Sequence, residues 1–190
     1  MSDFETITRI IQERRSVFPP MYEDKEIEDE VIRDILNNAN WAPTHRKTEP
    51  WRFKILKGQK KSELAEFLVD HYKSHTPSED FSSMKLKKTK KKVLKSAAVI
   101  AICMKRDPNE SVPEWEEIAA VACAVQNMWL TCTTLGIGSY WSTPKSIEDL
   151  GGFLNLKEGE KCLGLFYMGF MKDAVYTSER TSIENKVEWL

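Results

Sequence analysis

Basic residues, hydroxyls and prolines concentrate in residues 40–53 of this 190-residue chain. Between Pro43 and Pro50 lie His45 and Glu49, together with two further basic residues and two threonines. The prolines interrupt any helix and favour extended backbone in the residues before them. A rigid polar loop of this kind is typical of a segment that contacts a ligand. A solvated connector between a helix and a strand explains the same composition, and the loop alone leaves both interpretations open.

A second group with chemical potential is Arg14, Arg15 and Ser16, which follows the first predicted helix. Guanidinium groups bind phosphate oxygens in bidentate pairs, so two arginines followed by a hydroxyl suit a phosphate. The structural alternative is that two arginines in the last turn of a helix interact favourably with the helix dipole. Both interpretations are consistent with the triplet.

His71 and His75 are four residues apart on a predicted helix, where two imidazoles could bind one metal ion. The sequence places no third ligand near them, so we expect an exposed helix end and no metal site. The four cysteines (Cys103, Cys123, Cys132 and Cys162) are far apart and lie in apolar segments. They predict buried free thiols in a reducing compartment rather than a zinc site.

Composition limits the class of protein. Hydrophobic residues make up 41% of the chain and charged residues 30%, which predicts one domain over residues 1–190 with a substantial core. The net charge of −1 argues against broad electrostatic binding to nucleic acid or to anionic membranes. The N-terminus does not resemble a signal peptide, and no apolar run reaches the roughly 20 residues that span a bilayer. We expect a soluble, cytoplasmic protein.

One charge run, residues 79–95, is rich in lysine. It lacks the interleaved aromatic residues and arginines of a nucleic-acid patch, so it predicts a solvated helical segment. A lid formed by residues 72–95 is a further hypothesis.

Hydrophobic periodicity predicts the elements that position these groups. Apolar residues at three- and four-residue spacing predict helices over residues 3–15, 27–40, 60–72, 114–135 and 147–153. Alternating or continuous apolar runs predict strands over residues 52–56, 97–104, 137–141 and 161–170. Small residues in the longest helix permit close packing, so we expect it in the core and at a subunit interface. This order predicts an α+β fold with a central mixed β-sheet flanked by helices.

Three segments in this order resemble the motifs of the FMN-dependent nitroreductase family, in particular its compact, short-chain branch. They are residues 14–16, residues 42–45 with 49–53, and residues 136–141; residues 178–184 are similar to the closing segment of the family. The resemblance covers essentially the whole chain. It implies a nitroreductase-like fold and a homodimer in which the long central helices pack together, with two FMN sites at the interface.

The resemblance also implies a role for each motif. Arg14, Arg15 and Ser16 would contact the ribityl phosphate of FMN, and Arg180 would reach the same phosphate from the closing segment. His45 and Glu49 would approach the flavin from the partner chain. The residues expected at the ring edge, near N5 and O4, are Trp141, Ser142 and Thr143. Many relatives have Gln at the position of Glu49, so that contact is less well specified.

The chemistry that the resemblance implies is hydride transfer by the flavin, with no protein residue acting as a catalytic acid or base. NAD(P)H would donate to FMN, and an electron-poor acceptor such as a nitroaromatic or a quinone would then be reduced in a ping-pong cycle. Two alternatives remain open. One is an enzyme of this fold with different chemistry, such as a flavin-dependent dehydrogenase or a dehalogenase. The other is a flavin-binding protein without turnover.

Overall fold

The computed structural model describes residues 1–172 and 179–190. Its helices are α1 (Asp3–Glu13), α2 (Asp29–Ala39), α3 (Gly58–Ser74), α4 (Ser83–Lys95), α5 (Glu114–Thr134) and α6 (Leu150–Phe153). Its strands are β1 (Trp51–Leu56), β2 (Ala98–Lys105), β3 (Ile137–Ser142) and β4 (Glu160–Phe170). Short 3-10 turns cover Pro19–Met21, His45–Lys47, Ser78–Asp80 and Ile183–Lys186. Every predicted helix and strand is present, with ends shifted by a few residues.

The four strands form one sheet in the order β1-β2-β4-β3, and the α+β class is confirmed. All three neighbouring pairs are antiparallel, whereas the sequence predicts a mixed sheet. Two helices, α3 and α4, connect β1 to β2, so the chain re-enters the sheet in the opposite direction. Strands β2 and β3 point the same way, but β4 lies between them. Parallel pairing in the described residues is limited to an isolated bridge between Ser16 and Ser139.

Helices cover both faces of the sheet, and β2 lies at the centre. Residues 98–104 of β2 are fully buried, and alternate side chains point to opposite faces. One face packs against α2 and α5, through residues such as Ile35 and Val125. The other face packs against α3 and α4, through residues such as Leu68 and Val93. The result is a three-layer arrangement with the sheet in the middle.

The lysine-rich segment forms α4, as predicted, and α4 packs against α3. Most of its lysines are exposed, but Lys92 is an exception, with its ammonium 4.7 Å from the ring centroid of Tyr167. Burial lowers the pKa of Lys92. The expectation of a wholly solvated segment is therefore wrong for Lys92.

Tyr22 ties the segment after α1 to strand β4. Its side chain is fully buried, and its hydroxyl donates to the carbonyl oxygens of Val17 (2.8 Å) and Tyr167 (3.1 Å). The ring lies against Gly169, where an added Cβ would be only 2.5 Å from Tyr22 Cδ2. Glycine at position 169 therefore permits the close contact.

We expect Gly169→Ala to lower the free energy of unfolding by about 1–3 kcal/mol, because the new methyl group overpacks against a buried ring. Chemical denaturation of the variant and the parent measures the difference. Gly152→Ala is the matched control, since Gly152 lies in α6 with no atom within 4 Å of an added Cβ. An equal loss of stability in both variants would contradict the steric explanation.

The four cysteines are free thiols, as predicted, but their burial differs. Cys103 and Cys132 are buried, Cys162 is half-buried, and Cys123 is exposed. The expectation of a buried thiol is wrong for Cys123, because α5 presents it on a face that no described residue covers.

Raising the pH from 9.0 toward about 12 should destabilise the fold through Cys132, because burial raises the pKa of this thiol to about 12. The folded state holds the proton more tightly than the unfolded state. The contribution of the protonated Cys132 thiol to the free energy of unfolding is therefore complete below the pKa of the thiol in the unfolded state. It is lost as the pH rises toward the pKa in the folded state. Urea unfolding across this range should show a shallower pH dependence for Cys132→Ala than for the parent. Cys123→Ala should retain the steeper dependence of the parent.

Within residues 1–172 and 179–190, no helix combines the length and the hydrophobicity needed to cross a lipid bilayer.

Candidate functional site

Helix α5 contacts two of the candidate segments, the proline-bounded loop (residues 43–50) near one end and the arginine triplet (residues 14–16) near the other. Near its N-terminus, Glu116 Oε2 lies 2.6 Å from Nδ1 of His45 in the proline-bounded loop. Near its C-terminus, the Trp129 indole N–H donates to the carbonyl oxygens of Arg15 and Ser139, both at 3.1 Å. The helix therefore fixes the position of the loop relative to the arginine triplet.

The residues after α1 run along the edge strand β3. The Val17 N–H donates to the Ser139 carbonyl oxygen at 3.0 Å, and Ser16 forms the bridge to Ser139. Gly138 makes this approach possible, since an added Cβ would lie 2.8 Å from Val17 Cγ1. Backbone hydrogen bonds and close packing thus fix the segment after α1 that contains Arg14 and Arg15.

Three guanidinium groups influence one another at this edge. Arg14 Cζ lies 4.8 Å from the ring centroid of Trp129. Burial, and then the positive charges of Arg180 and Arg15, lower the pKa of Arg14. The structure therefore brings Arg180 close enough to Arg14 for electrostatic repulsion, although the two residues are at opposite ends of the chain. Such a concentration of positive charge favours an anionic ligand.

Arg15 is held by its own segment. Its Nη1 donates to the carbonyl oxygens of Gln12 and Arg14, the latter at 2.8 Å. Its Nε is buried and has no hydrogen-bond partner among the described residues. A buried donor without an acceptor is costly, and an anion at this position would satisfy it.

The proline-bounded loop contains no glycine, although its backbone adopts conformations that usually favour glycine. Arg46, Lys47 and Glu49 have positive φ angles of 50°, 56° and 41°. Non-glycine residues in this region cost roughly 1–3 kcal/mol each and persist where surrounding contacts fix them. The Glu49 N–H donates to Thr44 Oγ1 at 3.1 Å, which closes the loop from within. Contacts within the chain therefore fix the loop, and its role in contacting a ligand stays a prediction.

The third motif lies where β3 ends. Trp141 Nε1 donates to the Leu163 carbonyl oxygen at 3.2 Å, and its indole fills the space beside Gly164. An added Cβ at Gly164 would lie 1.9 Å from Trp141 Nε1. The Trp141 side chain thus packs against β4, while Ser142 is half-buried and Thr143 is exposed. These residues follow Ser139 closely, within roughly 13 Å at about 3.3 Å per residue.

The structure brings some predicted site residues together and separates others. Arg14, Arg15, Ser16 and Arg180 lie near the C-terminal half of α5, and residues 141–143 follow on the adjacent strand. His45 lies near Glu116, and Glu49 belongs to the same loop. Glu116 and Trp129 are roughly 20 Å apart along the helix, at about 1.5 Å per residue. Within one chain, the loop and the arginine cluster lie at separate places. Ser178, the first residue of the closing segment, lies outside the described residues.

Two residues that position the arginine cluster escape sequence reasoning. Trp129 belongs to the apolar stripe of α5, which predicts a core residue and gives no sign of its indole hydrogen bonds. Ser139 lies inside a short strand, and its pairing with Ser16 depends on the path of the chain after α1. The sequence offers one signal for this pairing, the close pair of Gly136 and Gly138. Because glycine has no Cβ, a second segment of backbone can approach closely.

These elements define an α+β protein with one antiparallel sheet and a cluster of arginines beside its edge strand. The sequence comparison specifies the family. The profile of the nitroreductase family matches residues 11–170, and the chain belongs to that family. A Bacillus subtilis (strain 168) protein, YfhC, provisionally named an NAD(P)H nitroreductase, is 27% identical over 180 residues. The match covers 93% of this chain and 90% of YfhC.

Solved structures show the same fold. A nitroreductase-like family protein from Bacillus cereus has a TM-score of 0.82 at 26% identity, covering 100% of this chain and 98% of that one. A nitroreductase with bound FMN from Bacteroides fragilis NCTC 9343 has a TM-score of 0.72 at 20% identity, with 100% of both chains covered. The predicted nitroreductase-like fold is confirmed.

Proposed function

We propose that this protein is an FMN-dependent oxidoreductase that uses NAD(P)H to reduce electron-poor acceptors such as nitroaromatics or quinones in a ping-pong cycle. FMN, when bound, would supply the hydride chemistry. Membership of the nitroreductase family supports this class of reaction, as does the NAD(P)H nitroreductase name given to YfhC. The FMN bound by the Bacteroides fragilis structure supports the choice of cofactor.

The observation that carries the proposal is the arginine cluster at the edge of β3. A phosphate dianion would offset the burial and the repulsion from Arg180 and Arg15 that together lower the pKa of Arg14. It would also accept a hydrogen bond from the buried Arg15 Nε. Ser16 adds a hydroxyl at the same place. The residues present therefore fit the phosphate end of FMN, and Arg14, Arg15, Ser16 and Arg180 are the groups that we propose to hold it.

We further propose that the site is shared between two copies of the chain. The arginine cluster and the loop with His45 and Glu49 lie near opposite ends of α5, too far apart to hold one flavin. A two-fold axis that pairs α5 helices antiparallel would place the loop of one copy beside the cluster of the other, and would form two equivalent sites.

Uncovered apolar side chains support this association. Helix α1 has no buried residue, and apolar side chains are exposed on α1, α5 and the C-terminal segment. They are Phe4, Ile7, Ile11, Trp115, Ile118, Leu135 and Trp189. Large exposed apolar surfaces often mark sites where another protein binds. We propose that a second copy covers it.

At the other end of the cofactor we propose that Ser142 and Thr143 supply contacts near N5 and O4, because they lie at the end of β3 and are not enclosed by the core. The Trp141 indole would then act by fixing the end of the strand rather than by touching the ring. His45 and Glu49 would orient the ring from the partner. For the cellular location we retain the cytoplasm, because the buried thiols Cys103 and Cys132 suit a reducing compartment.

The test is the absorbance spectrum of the purified protein before and after anaerobic addition of NADH or NADPH. The proposal predicts flavin bands that bleach with at least one donor and return when a nitroaromatic or a quinone is added. Bands that never bleach would overturn the enzymatic part and favour a flavin-binding protein without turnover. Failure to bind added FMN at all would overturn the assignment of the arginine cluster.

A further inference from the structure

A cluster of potential metal ligands lies away from the flavin motifs, at the C-terminal end of α3. His71 and His75 are one helical turn apart, and their rings stack with centroids 4.0 Å apart and planes 10° apart. The structure adds a third ligand that the sequence does not reveal, because Asp149 Oδ2 lies 2.8 Å from His71 Nε2. One ligand atom from each of these residues lies within 4.8 Å of the other two.

We propose that His71, His75 and Asp149 bind a divalent transition-metal ion of the zinc class, and this replaces the expectation of no metal site. Two imidazoles and one carboxylate form a donor set that zinc accepts, whereas magnesium and calcium prefer oxygen ligands alone. Tetrahedral ligands at about 2.05 Å from zinc are roughly 3.3 Å apart. The three donor atoms, which lie within 4.8 Å of one another, would have to approach by up to about 1.5 Å to reach that separation.

Hydrogen bonds prepare the imidazoles for this role. His75 Nδ1 lies 3.0 Å from the carbonyl oxygen of His71 and 3.0 Å from Ser74 Oγ. The carbonyl oxygen can only accept, and the Ser74 hydroxyl donates to the Asp70 carbonyl oxygen at 2.8 Å, so we assign the proton to Nδ1. The lone pair of His75 is therefore on Nε2, and a backbone carbonyl bonded to the opposite nitrogen is a common support for a metal-binding histidine.

Apolar contacts hold the second imidazole in place. The side chain of His71 is only 13% exposed, and its ring lies 6.4 Å from that of Phe67. Phe67 in turn packs on Phe153 of α6 at 5.3 Å. His71 is thus a fixed ligand at the base of the site, while His75 and Asp149 are exposed and leave room for water at a fourth position.

The position of the site indicates what the ion would do. Asp149 lies immediately before α6, so the metal would connect the end of α3 to the start of α6. His75 and Asp149 are exposed, so the ion would lie at the surface, where we propose that it cross-links the two elements.

The test uses the full chain as isolated, freed of metal with a chelator and titrated with Zn²⁺ at mildly alkaline pH, because protons compete for the imidazoles. Calorimetry should give one tight Zn²⁺ per chain, and Zn²⁺ should raise the thermal midpoint while Mg²⁺ does not. His75→Ala and Asp149→Asn should each lower the Zn²⁺ affinity by at least about tenfold. Both side chains are exposed, so neither substitution threatens the fold.

Two control variants locate the ion. Glu148→Gln removes a neighbouring negative charge that belongs to no ligand set, and His45→Gln removes the remaining histidine of the chain. Both should bind Zn²⁺ with the parent affinity. Unchanged binding in His75→Ala and Asp149→Asn, or a loss of binding in His45→Gln, would overturn the proposal.

Discussion

Replacing Arg14 by glutamine should lower the affinity for FMN by about tenfold to a hundredfold, because a hydrogen bond to a charged group contributes roughly 1.5–3 kcal/mol. The thermal midpoint of the flavin-free protein should remain nearly unchanged. Removing the guanidinium loses its contact with the Trp129 ring, but it also relieves the repulsion from Arg15 and Arg180. Fluorescence titration with FMN and thermal unfolding without it measure the two quantities separately.

Arg9→Gln is the matched control for Arg14→Gln. Arg9 lies on the exposed side of α1, where its Nη1 bonds Glu13 at 2.7 Å, and it has no contact with the cluster. The control removes the same charge from the same end of the chain and should leave the FMN affinity at the parent value. If both variants lose affinity equally, general electrostatic attraction explains the binding. If neither loses affinity, the phosphate lies elsewhere.

Mixing two defective subunits should restore flavin sites, provided that each site uses the arginine cluster of one copy and the loop of the other. Arg14→Gln damages both sites of its homodimer, and His45→Ala with Glu49→Ala damages both sites of another. In the mixed dimer, one site receives both lesions and the other receives none. Random mixing through a two-fold interface should therefore return about a quarter of all sites to the parent affinity.

Co-expression with two affinity tags isolates the mixed dimer, and its FMN content measures the restored sites. A mixture of Arg14→Gln with Arg15→Gln is the matched control, since both lesions lie in the same cluster and no intact site can form. Absence of restored sites in the first mixture would show that each site is built within one chain. Restoration in the control would show that Arg14 and Arg15 of one copy do not serve the same site.

The sequence predicts the elements well because apolar spacing is a local property. The strand over residues 98–105 and the helix over residues 114–134 follow directly from continuous and periodic apolar runs. Helix α1 shows the limit of such reasoning. Phe4, Ile7, Ile10 and Ile11 form its apolar stripe, yet Phe4, Ile7 and Ile11 are exposed in the single chain. Periodicity identifies an apolar face but does not identify what covers it.

The candidate site is harder to predict, because its residues are far apart in the sequence and come together only when the chain folds. Nothing local links Arg14 with Arg180, or His71 with Asp149, and the structure brings each pair together through packing of several elements. The positive φ angles of Arg46, Lys47 and Glu49 also escape prediction, since basic and acidic residues carry no preference for that region. The family resemblance identifies the motifs, whereas the distances between them are known only from the fold.

The order of the strands has a consequence for aggregation. An unprotected edge strand can recruit a strand from another molecule and start fibrillar assembly. At one edge of this sheet, the segment through Ser16 and Val17 covers β3. At the other edge, Pro50 precedes β1, and the strand carries Arg52 and Lys54, whose charges oppose a second copy in the same register. Both edges of the sheet are thereby protected, and the proposed association of two copies would use helical surfaces, where a two-fold pairing closes instead of propagating.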